Sequence, residues 1–127
     1  LYRHEVDADV IDITTMGNSE SVTGEMVEVD NSVANGVKDV VVVVYVGDTS
    51  TITDNVTWDL ESSYDGVHWW TVLADQTDIA SGTGSSFAEA SASDDLGDYF
   101  RIVVSTDGTG EVSADHGIQF NLISLFA

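Results

Sequence analysis

The sequence predicts an all-β fold, an antiparallel β-sandwich of the jelly-roll or Ig-like kind with about eight short strands. Three observations predict it. Apolar and polar residues alternate with a period of two in several segments, no segment sustains a helical apolar period, and runs rich in Gly, Asp and Ser separate the segments. Because 127 residues is the length of one domain, residues 1–127 are expected to form a single sandwich domain.

The clearest predicted strand is NVTWDLES, residues 55–62. Val56, Trp58 and Leu60 fall on one face of this segment and polar residues fall on the other, as in a half-buried strand. Further strands are predicted at residues 4–13, 21–29, 38–47, 67–73, 86–93, 98–105 and 116–125.

The segment DVVVVVYVG, residues 39–47, carries β-branched residues at consecutive positions and is therefore apolar on both faces. Such a segment suits a central strand that is covered above and below, or one that a neighbouring subunit covers in part. It does not suit a bare sheet edge, which would present an aggregation-prone surface.

The segment ESSYDGVHWW places two adjacent tryptophans after a Ser-x-Asp-Gly turn. If Asp65 and Gly66 form a hairpin turn, strand 55–62 returns as residues 67–73. Neighbouring residues of a strand point to opposite faces, so only one of the tryptophans faces the core. The face of the returning strand that carries Trp69 ends in an apolar residue. It therefore resembles the apolar face of the preceding strand. This register predicts that Trp69 is core and that the following tryptophan faces outward.

The opposite face of this returning strand and the apolar segment NLISLFA at residues 121–127 predict a partner interface. A contiguous apolar surface of this kind is expected to be covered, either by the same subunit or by another protein. The interface candidates are His68, Trp70, Val72, Ile123, Leu125 and Phe126.

Three interpretations of Trp70 stay open from the sequence. The ring folds over its own sheet beside a loop, as most large aromatic side chains lose contact with water somewhere in a fold. Alternatively it contacts a subunit or partner, because tryptophan is enriched at binding hot spots. In the third interpretation Trp70 and Tyr64 form a flat platform on which a sugar stacks.

Charge is the most unusual property of the chain. Its 23 acidic residues face only Arg3, Lys38 and Arg101, which gives a net charge of −20. In dilute buffer this self-repulsion destabilises the compact state, whereas at about 1 M salt the Debye length is about 3 Å and the repulsion is screened. The composition predicts a high-salt, halophilic setting. The acids run from Glu5 to Asp115 without clustering, which argues against an acidic face evolved for one basic partner.

Metal and nucleic-acid sites are not indicated by the residue pattern. His4, His68 and His116 are far apart and show no zinc-ligand spacing, and the chain has no cysteine. A phosphate backbone requires Lys and Arg, so the charge argues against a nucleic-acid partner. The segment DDLGD lacks the EF-hand spacing and favours loosely held salt cations over a specific site. Its weak metal candidates are Asp94, Asp95 and Asp98.

Catalytic and membrane motifs are also absent from the sequence. There is no Gly-x-Ser-x-Gly elbow, no phosphate-binding loop, and no positive and apolar leader in the first ten residues. The longest apolar run, residues 40–46, is too short to span a bilayer. The expectation is a non-enzymatic protein with no cofactor and no membrane partner.

The order of elements over residues 40–122 resembles that of small β-sandwich proteins of tailed viruses, capsid decoration or cement proteins and other virion structural proteins. The resemblance rests on a strand ending LESS, the turn YDG, the strand VHWWTVL, the connection SGTGSS, the segment LGDYFRIVVSTDGTG and the strand IQFNLI. Its motif residues are Ser63, Asp65, Gly66 and Trp69 in a Ser-x-Asp-Gly-x-x-Trp element, and Tyr99 and Arg101 in an aromatic-x-Arg strand.

The resemblance implies a virion component that binds the major capsid protein or another shell protein on the outer capsid surface, as a homo-oligomer such as a trimer. The acidity then implies a haloarchaeal type of host. Similar elements occur in carbohydrate-binding β-sandwiches. The alternative is therefore a carbohydrate-binding or adhesion module on a halophile cell surface or on a viral spike or tail. Trp70 departs from the pattern, because a small polar residue is usual at that position.

Overall fold

A computed structural model of the protein describes the backbone of residues 3–17, 19–29, 37–46, 51–52, 56–79, 82–83, 86–93, 95–106 and 112–126. Side-chain surroundings are described for residues 16–17, 19–29, 39–44, 56–76, 91–93, 95–106 and 120–124. Asp94 and parts of the predicted connections SGTGSS and TDGTG lie outside these ranges.

Regular secondary structure within the described ranges consists of β-strands alone, as predicted. These ranges accordingly contain no helix that is long and apolar enough to cross a membrane. The strands are β1 (Arg3–Met16), β2 (Ser21–Thr23), β3 (Val27–Glu28), β4 (Val37–Val46), β5 (Thr51–Ile52), β6 (Val56–Ser63), β7 (Trp70–Ile79), β8 (Gly82–Thr83), β9 (Ser86–Ala92), β10 (Tyr99–Thr106) and β11 (Val112–Phe126).

Each predicted strand overlaps a strand of the structure. The predicted strand at 21–29 is divided into β2 and β3, which pair with successive parts of β10. The two-residue strands β5 and β8 were not predicted, because segments so short carry no alternation signal.

The described strands form two antiparallel sheets packed face to face. Sheet A has six strands: five follow the order β8-β5-β11-β4-β9, and β1 also pairs with β11. Sheet B has five strands in the order β2-β10-β6-β7, and β3 also pairs with β10. The predicted all-β antiparallel sandwich is confirmed, and the structure supplies the strand order that the sequence left open.

The hydrophobic core lies between the inner faces of the two sheets. Trp58 of sheet B packs edge-on against Phe120 of sheet A, with ring centroids 5.8 Å apart and ring planes at 74°. The predicted alternation of β6 is confirmed, since its apolar face is buried and the intervening positions are half-buried. The core residues are Met16, Val27, Val29, Val40, Val42, Val44, Val56, Trp58, Leu60, Phe100, Ile102, Val104, Phe120 and Leu122.

Strand β4 lies inside sheet A, between β11 and β9, as its apolar sequence predicted. Val42 and Val44 point into the core and are almost completely buried. On the outer face Val43 is only 7% exposed, and Val41 is half-buried. The β-branched run is therefore covered substantially on both sides of the sheet.

The register of β7 reverses the predicted faces of the two adjacent tryptophans. β6 ends at Ser63 and β7 begins at Trp70, so residues 64–69 form a longer turn than the predicted hairpin. Trp70 pairs with Ser62, whose side chain is fully buried. Paired residues share a face, so Trp70 points to the inner side and Trp69 to the outer side. A register change of one residue exchanges the two faces of a strand.

The prediction that Trp69 is a core residue is therefore wrong. Trp69 is half-buried and does not belong to the core cluster. Val72, which was predicted on the outward face, is partly buried and packs against the core. Leu73 still pairs with Leu60, because a bulge between Thr71 and Leu73 adds one residue to β7.

Strand β7 is an edge of sheet B, and its pairing with β6 is irregular along its length. Register shifts occur at three places between the two strands. Asp75, close to the middle shift, has a φ of 50°. Bulges twist a sheet edge and hinder the pairing of a second chain.

We expect Leu60→Ala to lower the free energy of unfolding by about 2–5 kcal/mol, because Leu60 is fully buried and truncation leaves a cavity. The measurement is urea unfolding at about 1 M KCl, where charge repulsion is screened. Val67→Ala is the control, since Val67 is 72% exposed and should change stability by less than about 0.5 kcal/mol. Similar losses in the two variants would contradict the position of the core.

Candidate functional site

The large hydrophobic side chains exposed within the described residues gather at one end of sheet B. They are Met26, Tyr64 and Val67, which are 52%, 69% and 72% exposed. Tyr64 and Val67 lie in the β6–β7 turn, residues 64–69. Met26 lies against the same turn, because a Cβ placed on Gly66 would be 3.0 Å from the Met26 sulfur.

Ser63 starts the β6–β7 turn through its hydroxyl group. The oxygen accepts hydrogen bonds from the backbone N–H groups of Asp65 at 3.2 Å and Gly66 at 2.9 Å. The hydroxyl donates to Asp65 Oδ1 at 3.0 Å. Gly66 has a φ of 76°, a conformation that costs glycine little, so the residue supplies the turn geometry that its position in the motif implies.

Asp65 closes the second half of the turn. Its Oδ1 accepts the backbone N–H groups of Val67 and His68, both at 2.8 Å, and its Oδ2 lies 2.7 Å from His68 Nδ1. The pKa of the Asp65 carboxyl lies well below its usual range, because the His68 N–H, the His68 ring and the Val67 N–H all stabilise the carboxylate. The motif residues thus build a rigid turn.

Ser63, Asp65 and His68 do not form a catalytic triad. In a triad the histidine lies between serine and aspartate and removes the serine proton. Here the aspartate lies between the other two, and the serine hydroxyl donates to Asp65. Ser63 is also fully buried, so its oxygen is out of reach of a substrate.

Trp70 is fixed on both sides at the beginning of β7. Its Nε1 donates to the backbone carbonyl of Asp95 at 2.8 Å, which joins the turn to the β9–β10 connection. The Tyr64 ring lies against the Trp70 ring with centroids 4.8 Å apart and planes tilted by 45°. The two aromatic side chains therefore form one unit, in which Trp70 is half-buried and Tyr64 is largely exposed.

Gly97 brings the β9–β10 connection into contact with the end of β6. Its N–H donates to Ser62 Oγ at 2.8 Å, and the next N–H, that of Asp98, donates to the Ser63 carbonyl at 3.0 Å. A Cβ on Gly97 would lie 2.3 Å from the Ser63 carbonyl oxygen and 3.0 Å from Trp70 Cη2. Because the nearer obstacle is backbone, only glycine fits at this position.

Trp69 and Arg101 meet on the outer face of sheet B. The Arg101 guanidinium carbon lies 4.2 Å from the centre of the Trp69 ring, and Arg101 Nε is 2.6 Å from Glu61 Oε1. The pair combines a cation–π contact with a partly buried ion pair. Arg101, one of the few basic residues of the chain, thereby holds Trp69, the tryptophan that was expected to lie in the core.

Tyr99, the other residue of the aromatic-x-Arg element, lies on the far side of the turn. Its hydroxyl is 3.5 Å from Glu28 Oε1, and the pKa of its phenol is raised chiefly by the charge of that carboxylate. A Cβ on Gly66 would be 3.6 Å from the Tyr99 ring. Every motif residue thus lies in or beside the β6–β7 turn.

Two adjacent open grooves share the aromatic pair. One has a volume of about 280 Å³ and is lined by Tyr64, Trp70 and Asp95. The other has a volume of about 320 Å³ and is lined by Tyr64, Asp65, His68, Trp69 and Trp70. We call these two grooves together the aromatic groove.

The remaining interface candidates lie in sheet A. Ile123 is half-buried on the outer face, where it pairs with Val41, and Asn121 pairs with Val43. Val41, Val43, Asn121 and Ile123 are called the β4–β11 face. The backbone of Leu125 and Phe126 continues β11, but their side chains lie outside the described residues.

Two of the predicted cation candidates, Asp95 and Asp98, contribute backbone groups to this end of the sandwich. The Asp95 carbonyl holds Trp70, and the backbone of Asp98 bonds to Ser63 and Val29. The described residues include no group of three or more His, Asp or Glu side chains arranged to hold a metal ion. Asp94 lies outside the described ranges.

Met26 and Gly97 belong to this end of the sandwich and were not predicted. Gly97 occurs in DDLGD, which has the composition of any turn, and its close approach to Ser63 is a tertiary contact without a local signal. Met26 follows an irregular polar stretch, and its exposure depends on the position of a turn far along the chain.

No protein-family model and no curated protein matches the sequence. Among solved structures, the chain is similar to the SPBc2 prophage-derived protein YomS, with a TM-score of 0.50 and 11% identity over 98% of this chain and 95% of that chain. It is also similar to a structure of infectious bursal disease virus Gx strain, with a TM-score of 0.51 and 10% identity over 99% of this chain and 32% of that one. Identities this low establish the fold alone.

A third similar structure is the CBM22-1 xylan-binding domain of Paenibacillus barcinonensis Xyn10C. Its TM-score is 0.39 and its identity is 9%, over 98% of this chain and 84% of that chain. A likeness this distant carries no argument about function. The structures similar in fold therefore include a prophage-derived protein and a virus.

We expect Gly97→Ala to displace the β9–β10 connection from β6, because the added methyl group would meet the Ser63 carbonyl. The measurement is hydrogen exchange, and the Trp70 indole N–H should exchange faster when its bond to Asp95 is loosened.

Gly17→Ala is the matched control for Gly97→Ala. Its added Cβ would lie 3.1 Å from the flexible end of the Glu20 side chain, which can move. Slow exchange of the Trp70 indole N–H in both variants would contradict the clamping role of Gly97.

Proposed function

We propose that this protein is a non-enzymatic structural protein of a virion, a decoration or cement protein on the outer capsid surface of a halophilic tailed virus. It binds the major capsid protein or another shell protein through the β4–β11 face, and it does so as a homo-oligomer. Shell binding of this kind stabilises the particle because it adds contacts that exist only after assembly.

The contrast between the outer faces of the two sheets carries the proposal. The outer face of sheet B carries the charged residues Asp59, Glu61 and Arg101 at half-buried positions. Such a charged face suits contact with a concentrated salt solution. In the β4–β11 face, Val41, Asn121 and Ile123 are uncharged and half-buried, and Val43 is nearly covered. The patch is bordered by Asp39 on the same face of β4 and by Glu89 of β9, which pairs with Val43. In a chain with a net charge of −20, this uncharged patch is the part of sheet A best suited to contact another protein.

The fold supports the same class of function. The similarity to the prophage-derived protein extends over nearly the whole of each chain, as expected for one small domain that acts as a unit. The similarity to the virus structure likewise covers nearly all of this chain, within a longer chain. Both fit a viral structural role, although the identities are too low to transfer a partner.

A carbohydrate-binding or adhesion module on a cell surface, spike or tail is the second candidate function. The observation that favours it is the exposed Tyr64 ring beside Trp70 in an open groove. The number of copies in purified particles distinguishes the two functions, because a shell protein is present in many copies, a spike or tail module in few, and a cell-surface module in none.

The first test measures the protein in virions from a hypersaline culture that produces it. We expect many copies per particle by mass spectrometry. Particles stripped of the protein should then bind the wild type, and Val41→Thr should bind about tenfold more weakly, because a hydroxyl buried without a partner costs about 1–3 kcal/mol.

Val103→Thr provides the matched control for Val41→Thr. Val103 is also half-buried and outward-facing, but it lies in sheet B, so its substitution should leave particle binding unchanged. Absence of the protein from particles would overturn the proposed function. Equal weakening by the two variants would overturn the choice of the β4–β11 face.

We also expect the melting temperature to rise as KCl increases from about 0.1 M to about 1 M, because the Debye length falls from about 10 Å to about 3 Å. The repulsion that is screened comes from the net charge of −20. Thermal unfolding followed by circular dichroism checks the change. Sucrose at matched osmolality is the control, since it stabilises by exclusion without screening charge. An equal rise in sucrose would contradict the electrostatic explanation.

A further inference from the structure

We propose that the aromatic groove is a binding site for a neutral saccharide, with pyranose rings stacked on Tyr64 and Trp70. The proposal rests on the second candidate function, a carbohydrate-binding or adhesion module, and names the class of sugar that the aromatic groove would bind. It is also independent of shell attachment, because the groove lies at one end of sheet B and the β4–β11 face lies on sheet A. A shell-bound copy would therefore keep the groove open to a ligand.

The aromatic rings of the groove are held in place before any ligand arrives. Trp70 is fixed by the Asp95 carbonyl and by the close approach of Gly97, and Trp69 is fixed by Arg101. Tyr64 follows directly on Ser63, whose hydroxyl orders the turn. Rings that are already immobilised lose little conformational entropy when a ligand binds.

The exposure of Tyr64 is the feature that packing alone does not explain. Its side chain is 69% exposed, although the ring is held at 4.8 Å from Trp70. A ring needed only to fill space would be covered by its own fold, whereas this ring keeps an open face beside a groove. Flat aromatic surfaces with nearby polar groups suit the apolar C–H faces and the hydroxyl rim of a pyranose.

The polar groups around the rings define the rim of the site. His68 uses Nδ1 to contact Asp65, its side chain is 87% exposed, and it lines one of the two grooves. Asp95 lines the other groove, together with Tyr64 and Trp70. Imidazole and carboxylate groups at the edge of an aromatic surface are hydrogen-bonding partners for sugar hydroxyl groups.

Charge restricts the ligand to neutral sugars. Asp65 stays ionised because its hydrogen bonds lower its pKa, and it lines the same groove as His68. A sulfated or carboxylated sugar in the groove would place its anion in close contact with the Asp65 or Asp95 carboxylate, at a distance where salt screens the repulsion only in part. Stacking on aromatic rings does not depend on long-range charge, so it persists at the salt concentrations that screen the protein.

The size of the site fits one ring in each groove. The volumes of about 280 Å³ and 320 Å³ lie at the low end of small-molecule sites. Because Tyr64 and Trp70 line both grooves, neighbouring rings of one oligosaccharide would contact the same aromatic pair.

In the test, the full chain is titrated with the methyl glycosides of glucose, galactose and mannose and with the disaccharide of N-acetylglucosamine. The solution contains about 1 M KCl, which screens the long-range charge of the protein. Saturation-transfer NMR detects contact, and tryptophan fluorescence gives the dissociation constant. We expect saturable binding of at least one neutral sugar, weakened about tenfold or more by Tyr64→Ala. Glucuronate should bind much more weakly than glucose.

Val67→Ala is the matched control, because Val67 lies in the same turn, is 72% exposed and does not line either groove. It should leave sugar binding unchanged. The proposal is overturned if no neutral sugar binds up to about 100 mM, a hundred times a Kd of about 1 mM. It is also overturned if Tyr64→Ala and Val67→Ala weaken binding equally, or if glucuronate binds as well as glucose. None of these outcomes affects particle occupancy, so failure here is distinct from failure of the shell role.

Discussion

The packing of Trp58 against Phe120 fixes the orientation of both sheets. Trp58 of β6 pairs with Val104 of the neighbouring strand β10. Burial of the Trp58 ring therefore turns the face of β6 and β10 that carries these two residues toward the core. Because side chains alternate between the two faces of a strand, the intervening residues of β6 and β10 point outward. Glu61 and Arg101 are two of these residues, and they meet on the outer face of sheet B. The indole N–H of Trp58 has no hydrogen-bond partner among the described residues.

The candidate site is an extension of this core and not a separate loop. Ser62 continues the buried face of β6, where its hydroxyl donates to the Tyr99 carbonyl and accepts the Gly97 N–H. That bond brings the β9–β10 connection to the point where the Asp95 carbonyl meets the Trp70 indole. Trp70 is thereby held on a strand, which positions a side chain more accurately than a free loop does, and the turn residue Tyr64 packs against it.

The limits of sequence analysis are clearest along β6 and β7. The buried face of β6 was predictable because alternation is a local property, and the covered position of β4 followed from its β-branched run. The faces of Trp69 and Trp70 depend on the number of residues in the turn. The bonds of Ser63 and Asp65 set that number, and a single residue of difference reverses the strand. Gly97 and Trp70 meet through tertiary contact, which no local pattern encodes.

The proposed high-salt setting would also limit how the protein recognises a partner. At a Debye length of about 3 Å, surface charge does not steer a partner from a distance, and charges act only on groups in close contact. Recognition then depends on close contact, through buried apolar area or aromatic stacking. The two surfaces assigned to partners here follow that constraint, since Val41 and Ile123 carry no charge and Tyr64 and Trp70 present ring faces. At the high salt concentration that the composition predicts, the acidic residues would keep the domain hydrated, and close apolar and aromatic contacts would determine what it binds.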